Sequence, residues 1–239
     1  MTTPTKLKPV DAVVVGSGVV GSIICMELAN AGLKVLCLER GRSAEPQKDF
    51  VMPYVQDELK FDRHSDIFQN LSRETITFRN NMSETALPMR ELGSFKPGEI
   101  VGGTALHWGC NARRQLPYDF DIRSRLEGRF GKKYFPEDCT SQDWGVTYED
   151  VEPYYDQFEY IYGVGGVSGN LEGKILPGGN PHEGARSRDY PNPPTKRTPQ
   201  GELFAKACEQ LGYHPFQGPA AAMTRDYMNL YKNFLGECD

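Results

Sequence analysis

Three closely spaced glycines near the start of the chain have the spacing of a site that binds phosphate. In such a set, the first glycine permits a sharp turn from strand to helix and the second lets a diphosphate approach the backbone. The third lets the helix pack close to the strand. The N–H groups at the start of the helix then face the phosphate oxygens. The pattern predicts a dinucleotide-binding turn made of Gly16, Ser17, Gly18, Val20 and Gly21.

An acidic residue follows about 20 residues after this turn, as dinucleotide-binding sequences require. It is Glu39, which ends a second apolar run and is followed by Arg40. Its carboxylate can accept hydrogen bonds from adenosine ribose hydroxyls and would repel a 2′-phosphate, so NADP is disfavoured. FAD and NAD both stay open at this point because both contain ADP. The structural alternative is an ordinary glycine-rich turn with a solvent-exposed Glu39.

A strand, a turn, a helix and a second strand are expected across residues 11–41, and they would position both features. The run at 11–15 is apolar and β-branched, as in a parallel strand that is buried on both faces. Apolar residues recur at helical spacing over 19–31, which predicts a buried helix that stops at Gly32. The second strand covers residues 34–38.

A second glycine-rich segment, VGGTALHWGCNARR, occupies residues 101–114. Two adjacent glycines before a small hydroxyl residue suit close packing on a planar ligand, and they equally suit an ordinary tight turn. From the residues alone, His107 is either a core histidine or a group that binds a ligand. The candidate residues of this segment are Gly102, Gly103, Thr104, His107, Trp108 and Gly109.

The two glycine-rich segments and their surroundings resemble the glucose–methanol–choline (GMC) family of flavin oxidoreductases. The HWG sequence at 107–109 is similar to that of the membrane-associated sugar and sugar-acid dehydrogenases within this family. The resemblance covers most of the chain and is weakest over 163–197. It is carried by residues 11–41 with their LERG end, VGGT at 101–104, LPYDF at 116–120 and WGVTYEDVEPYY at 144–155.

The resemblance implies that FAD is the cofactor, with its ADP half at residues 16–21 and its flavin against residues 102–104. His107 and the two residues after it would lie beside the isoalloxazine ring, where His107 would position the cofactor. The implied reaction moves a hydride from a CH–OH carbon of a sugar or sugar acid to flavin N5, while a base removes the hydroxyl proton. The implied acceptor is a cytochrome or quinone, and the implied partners are a small subunit and a cytochrome c subunit.

The expected fold class is therefore α/β, with a Rossmann-like FAD-binding region at 1–145 and the start of a substrate-binding region at 146–239. Members of this family are much longer than 239 residues, and their catalytic histidine lies near the far C-terminus. We expect an incomplete, N-terminal part of such an enzyme, with no catalytic residue of its own. The resemblance to the sugar dehydrogenases implies a cysteine-rich segment about here, which in some members holds an iron–sulfur cluster, and Cys238 is the candidate for its first cysteine. One cysteine alone cannot hold a cluster.

Two other function classes stay open from the sequence. One is a module that binds FAD or ADP without catalysis, or a truncated product without activity. The other is a flavin-dependent monooxygenase or reductase, against which the segment at residues 102–109 argues. His64, His182 and His214 match no part of the family's catalytic motif and are expected on the surface or in loops.

The composition excludes several further classes. The formal net charge of -5 gives no broad positive surface for nucleic acid or anionic lipid. The pairs Arg113-Arg114 and Lys132-Lys133 are expected on the solvated surface. No apolar run approaches the ~20 residues of a membrane span, and the start of the chain has no secretory signal pattern. The expected compartment is the periplasmic face of a bacterial membrane, reached through a partner subunit, or otherwise the cytoplasm.

The six cysteines contain no CxxC pair and fit neither a zinc motif nor a disulfide framework. Cys25 and Cys37 fall within the apolar segments and are expected to be small core residues. No metal site is expected apart from the one to which Cys238 would belong.

Helix signals return in the second half of the chain. Thr147 and Asp150 form a possible N-cap pair, and Gly163 would stop the helix that follows them. Pro153 is expected to open a second helix after a short first turn. A helix starting at Thr198-Pro199 is expected to run to Leu211 and stop at Gly212. The Gly/Pro-rich stretch at 163–199 is expected to be irregular.

Overall fold

The computed structural model describes residues 6–49, 67–70, 73–79, 81–89 and 97–236. Over these residues the protein is mixed α/β, and the chain divides into two compact units, Met1–Gly109 and Cys110–Asp239. The first unit contains every residue predicted to bind the cofactor. The division between FAD-binding and substrate-binding regions at residue 145 concerns function and stays a prediction.

The first unit begins with strand β1 (Ala12–Val15), helix α1 (Val19–Asn30) and strand β2 (Val35–Leu38). The two strands are parallel, and their register pairs each residue of β1 with the residue 23 positions later, from Ala12↔Val35 to Val15↔Leu38. Gly32 follows α1 at a φ of +86°, and its N–H donates to a carbonyl of the last helical turn. The predicted order of strand, turn, helix and strand is confirmed.

Helix α1 covers only one face of the β1–β2 pair. On that face, Val14 Cγ1 lies 3.6 Å from the place that a Cβ on Gly21 would occupy. On the opposite face, the side chains of Val13 and Val15 are 54% and 82% exposed. The expectation of a strand buried on both faces is wrong for the described residues, because one helix against two strands leaves the other face open.

The helix itself is also less buried than expected. No residue of α1 is fully buried, and Val20 is 69% exposed. Cys25 is partly buried and Cys37 is exposed, so the expectation of two core cysteines is wrong for Cys37. The reason is that only β1 borders β2 within its sheet in the described part of the chain, which leaves Cys37 without full cover.

Longer-range pairing joins the residues just before the second glycine-rich segment to the chain that follows β2 and to residue 68. Phe68 forms an antiparallel bridge with Gly98, and Arg42 forms a parallel bridge with Ile100. Ile67 and Ile100 are both 1% exposed and are the buried apolar centre of this region. The first unit also has a helical turn, α2 (Pro46–Asp49), and an antiparallel hairpin of β3 (Thr77–Phe78) and β4 (Leu87–Pro88).

The second unit holds three helices among its described residues: α3 (Ile122–Phe130), α4 (Tyr148–Tyr162) and α5 (Pro199–Gln210). Two short antiparallel hairpins pair β5 (Asn170–Leu171) with β6 (Lys174–Ile175) and β7 (Tyr227–Met228) with β8 (Phe234–Leu235). Its buried apolar residues are Ala112, Phe120, Tyr148, Ile161, Val164, Ala205 and Met223.

The predicted helix boundaries of this unit are confirmed. Thr147 and Asp150 form a capping box, in which the Thr147 Oγ1 accepts the Asp150 N–H at 3.3 Å. Gly163 ends α4 at a φ of +62°. Thr198 Oγ1 caps α5 by accepting the Gly201 N–H at 3.1 Å, and Gly212 follows that helix at a φ of +78°.

Pro153 lies inside one continuous helix, so the prediction of a separate helix beginning there is wrong. A proline at this position removes the hydrogen bond to the carbonyl four residues earlier, that of Glu149, and its ring crowds that carbonyl. The capping box on one side and the buried Tyr148, Glu159 and Ile161 hold the helix together across that gap.

Arg114 is buried, which corrects its expected place on the solvated surface. Its side chain is 3% exposed and binds Glu159 in a bidentate pair, Nε to Oε1 and Nη2 to Oε2, both at 2.8 Å. Glu152 and the Tyr148 hydroxyl lie 2.9 and 3.1 Å from its Nη1, and Arg186 binds Glu159 from the irregular stretch. Burial is tolerated because each charge has an opposite partner.

Both Lys132 and Lys133 are exposed, as predicted.

No helix in the described ranges combines the length and apolar character needed to cross a membrane. Within the same ranges, no group of three or more His, Cys, Asp and Glu side chains is arranged to hold a metal ion. Cys238 and His64 lie outside the described residues. His182 and His214 are exposed, as expected.

Candidate cofactor site

The first glycine-rich turn, residues 16–21, joins β1 to α1 and depends on glycine at two positions. Gly16 has a φ of +93°, which a side chain rarely adopts. A Cβ on Gly21 would lie 2.0 Å from the Gly16 carbonyl oxygen, so the helix can approach the turn only with glycine there. Both requirements match the roles predicted from the spacing.

The start of α1 is suited to an anion. Gly18 is the N-cap residue, with φ -65° and ψ -175°, and it offers no side chain to cap the helix. The N–H groups of a first helical turn have no partner within the helix, and the helix dipole adds partial positive charge there. Such donors suit a diphosphate oxygen, and the binding of one here stays a prediction.

The Glu39 carboxylate is bound to this turn. Its Oε2 accepts hydrogen bonds from the Ser17 N–H and the Ser17 hydroxyl, both at 2.7 Å, and its Oε1 accepts the Gly41 N–H at 2.6 Å. The bonds from Gly41 and then Ser17 lower the pKa of Glu39 to about 2. Glu39 is therefore ionised at neutral pH, as an acceptor for ribose hydroxyls must be.

The second glycine-rich turn, residues 102–104, lies directly against the first. Gly102 and Gly103 have φ values of +94° and +57°, and Gly103 opens a short 3-10 helix, Gly103–Leu106. The Gly102 N–H donates to the Ser17 Oγ at 3.4 Å, and a Cβ on Gly18 would lie 3.9 Å from the Gly102 carbonyl oxygen. Two segments about 85 residues apart in sequence thus form one site.

Two glycines that the sequence analysis did not single out allow this approach. A Cβ on Gly41 would lie 2.4 Å from the Ile100 carbonyl carbon, and one on Gly98 would lie 2.7 Å from that of Gly103. The Gly98 N–H also donates to Thr104 Oγ1 at 3.3 Å. Gly41 stood within the LERG sequence that carried the family resemblance, but no spacing rule pointed to Gly98.

The Nε2 atom of His107 is buried. It makes no hydrogen bond to any of the described residues, while the ring packs edge-on against Phe68 with centroids 4.7 Å apart. A buried polar atom without a partner costs free energy, so an unpaired nitrogen here suits a polar group of a bound ligand. The placing of His107 beside a cofactor stays a prediction.

The other candidates are placed as follows. Arg40 binds Glu74 and lies 3.7 Å from Glu99, so its guanidinium is engaged with carboxylates of its own unit. Trp108 is partly buried, and Gly109 has a φ of +71°. The structure therefore unites Gly16, Ser17, Gly18, Gly21, Glu39, Gly102, Gly103 and Thr104. The cofactor contacts of Val20, Arg40, Trp108 and Gly109 stay predictions.

These residues fit an ADP-containing dinucleotide. The uncapped helix start and the glycines suit a diphosphate, and the ionised Glu39 suits a ribose. The glycines of the second turn leave its backbone open to a flat ring, and His107 supplies an unsatisfied nitrogen nearby in sequence. The residues that could hold FAD are thus all in the first unit.

No family model matches the chain. Over its full length it is 42% identical to the gluconate 2-dehydrogenase flavoprotein of Pantoea cypripedii. It is 28% identical to the 2-methyl-1,2-propanediol dehydrogenase of Mycolicibacterium austroafricanum over 92% of the chain. It is also 28% identical to the fructose dehydrogenase large subunit of Gluconobacter japonicus, over 91% of the chain.

The chain spans 39%, 35% and 37% of the lengths of these three relatives, in the same order. By their names they are dehydrogenases of sugars, sugar acids and diols, and one is named a flavoprotein. The resemblance drawn from the two glycine-rich segments is therefore confirmed: the chain is similar along its whole length to a gluconate 2-dehydrogenase flavoprotein, and over 92% and 91% of its length to two further dehydrogenases.

Proposed function

We propose that this chain is the FAD-binding, N-terminal part of an oxidoreductase similar to gluconate 2-dehydrogenase. The observation that carries the proposal is the junction of Ser17, Glu39 and Gly102, which joins both glycine-rich turns around one helix start. Its Rossmann-like character is part of the proposal and rests on the parallel β1–α1–β2 unit. The 42% identity to a gluconate 2-dehydrogenase flavoprotein supports the choice of FAD over NAD.

In this proposal, the first glycine-rich turn and the start of α1 bind the diphosphate of FAD. Glu39 exchanges its hydrogen bonds to the turn for bonds from the ribose hydroxyls, and its charge excludes a 2′-phosphate. The backbone of residues 102–104 lies against the ring system, with His107 as a hydrogen-bonding group beside it. When bound, the flavin supplies the hydride acceptor for a CH–OH carbon.

The substrate we propose is a sugar or sugar acid, because two of the relatives are named for gluconate and fructose. We assign no catalytic base within this chain and place that function in the longer polypeptide that the relatives have. The large-subunit name of the fructose relative supports assembly with other subunits. A small subunit, a cytochrome or quinone acceptor, and action at the periplasmic face of a membrane complete the proposal.

Titration of the purified chain with FAD, monitored by flavin fluorescence, tests the binding step. FAD is expected to bind and ADP to compete with it, whereas NADP is expected to compete poorly because Glu39 repels the 2′-phosphate. If NADP competes as well as ADP, the ribose role of Glu39 is wrong.

A dye-reduction assay with gluconate or a similar polyol then separates an enzyme from a binding module. Flavin binding without turnover is the expected result, since we assign no base to this chain. Turnover by this chain alone would overturn that assignment. The absence of flavin binding would instead favour an inactive product.

A further inference from the structure

We propose that Cys25 and Cys37 are a dithiol that a peroxide closes to a disulfide, which ties helix α1 to strand β2 directly behind the first glycine-rich turn. The two cysteines belong to neighbouring elements of one βαβ unit. This modification site goes beyond cofactor binding and does not depend on it.

The register of the strands places Cys37 on the face that α1 covers. Cys37 pairs with Val14 across the parallel strands, and paired residues of adjacent strands share a face. Val14 faces α1, because its Cγ1 lies 3.6 Å from the Cβ position of Gly21 on that helix. The Cys37 Sγ also lies 3.9 Å from the Gly16 carbonyl oxygen, at the turn itself.

The spacing along α1 brings Cys25 to the same place. Cys25 follows Gly21 by four residues, so both lie on one face of the helix, and that face packs against the strands. In keeping with this placement, the Cys25 thiol contributes, after desolvation, to raising the pKa of Cys37. Strand register and helical spacing thus bring the two thiols to the same side of the strand pair.

Accessibility and acidity decide how the pair reacts. Both cysteines are free; Cys37 is exposed and Cys25 is partly buried, so an oxidant reaches Cys37 first. Although Cys37 is exposed, local desolvation raises the pKa of its thiol, and the Cys25 thiol and the Glu39 charge act in the same direction. Because the thiolate is the reactive form, the pair stays reduced under mild conditions, and oxidation accelerates as the pH rises.

The chemistry balances with a peroxide as the two-electron oxidant. The Cys37 thiolate attacks a peroxide oxygen, the O–O bond breaks, and sulfenic acid forms on Cys37 as one water molecule leaves. The Cys25 thiol then attacks that sulfur, the S–S bond forms, and the second oxygen leaves as water. Two electrons pass from the two sulfurs to the peroxide.

Peptide mass spectrometry of the full chain, before and after hydrogen peroxide treatment at about pH 8.5, tests this proposal. The expected product is a Cys25–Cys37 linked peptide, about 2 Da lighter than the two reduced peptides together. Its yield should be unchanged in the control variant Cys208→Ser, which alters a helix of the other unit. Oxidised chain in which Cys25 and Cys37 are not linked to each other would overturn the proposal.

The variant Cys25→Ala provides a second measurement that requires no disulfide. Without its partner, the sulfenic acid on Cys37 should persist and be trapped by dimedone, whereas the parent chain should give little adduct. Equal trapping in both proteins would contradict the pairing.

The linked chain should also melt at a higher temperature, because the cross-link restricts the unfolded state. Neither readout uses a nucleotide, so failure here is distinct from failure to bind FAD.

Discussion

Glu39 connects two backbone segments even before any ligand is considered. Its carboxylate oxygens take hydrogen bonds from Ser17 and from Gly41, so the end of β2 is fastened to the turn that follows β1. A ribose that binds Glu39 has to replace part of this network. The same carboxylate therefore serves both the shape of the turn and the proposed selection of ligand.

The lowered pKa of Glu39 predicts a pH-dependent stability. Because the folded-state pKa is about 2, well under its usual range, this carboxylate stabilises the fold above the unfolded-state value and loses that effect as the pH falls toward 2. The free energy of unfolding, measured with denaturant at several pH values, should fall more steeply between about pH 5 and 2 in the parent chain than in Glu39→Gln. The matched control Glu209→Gln, an exposed carboxylate on α5, should retain the parent slope, and equal slopes for all three would count against the account.

At the residue scale, the sequence predicts those site residues whose roles depend only on their neighbours along the chain. Gly16, Gly21 and Glu39 follow from spacing, because their roles depend on a single strand, turn and helix. Gly98 depends on the close approach of Gly103 through a fold-back of the chain, which no local pattern encodes. Arg113 is exposed as predicted, whereas the burial of Arg114 could not be predicted locally, because its partners lie far along the sequence.

At the element scale, helix α4 is fixed at both ends by residues that the sequence already marked. The capping box at Thr147 begins it and Gly163 ends it, which is why both boundaries were predictable. Pro153 wrongly predicted a helix boundary. Proline disfavours the helix interior by removing one hydrogen bond, but the other hydrogen bonds and buried contacts of this helix outweigh that loss. The exposed face of β1 could not be predicted from periodicity either. Periodicity shows which side chains of a strand are apolar, but not whether another element packs against them.

Loss of the α4 cap should destabilise the second unit measurably. Thr147→Ala removes the side chain that accepts the Asp150 N–H, and it should lower the free energy of unfolding by about 1 kcal/mol. Thr140→Ala, at an exposed position, is the control and should change it by less than about 0.5 kcal/mol. If the two substitutions cost the same in denaturant unfolding, the cap does not stabilise the helix.

The buried ion cluster should be far more sensitive. Glu159→Gln removes the negative charge that Arg114 and Arg186 share. Glu152 still pairs with Arg114, but the cluster then has one buried positive charge uncompensated, which costs about 3–5 kcal/mol. Glu127→Gln breaks the partly exposed pair with Arg123 and should cost under about 1 kcal/mol. Denaturant unfolding of both variants gives the comparison. A loss from Glu159→Gln no larger than that from Glu127→Gln would mean that the cluster contributes little to stability.

At the scale of the whole molecule, the chain has a buried apolar core, and it also exposes apolar side chains to solvent. Val13 and Val15 are exposed on β1, and Leu203, Phe204 and Leu211 are exposed on or beside α5. Apolar surface of this kind promotes association, so dilute conditions and light-scattering controls belong in every binding experiment. The relatives are more than twice as long as this chain, and we propose that their activity requires the longer polypeptide.

The central claim is that the first glycine-rich turn binds the diphosphate of FAD, and Gly18→Ala tests it most directly. Among the described residues, a Cβ at Gly18 would meet a single atom within 4 Å, at 3.9 Å, and its φ of -65° suits alanine, so the fold should persist. The added methyl would occupy the approach of the diphosphate. The helical control Gly128→Ala has open space around its new Cβ and lies in the other unit.

The measurement is the FAD dissociation constant of the three proteins, by flavin fluorescence titration, with melting temperatures taken alongside. The account predicts binding that is weaker by about tenfold or more in Gly18→Ala, at an unchanged melting temperature, and parent-like binding in Gly128→Ala. Parent-like FAD affinity in a folded Gly18→Ala protein would contradict the central claim.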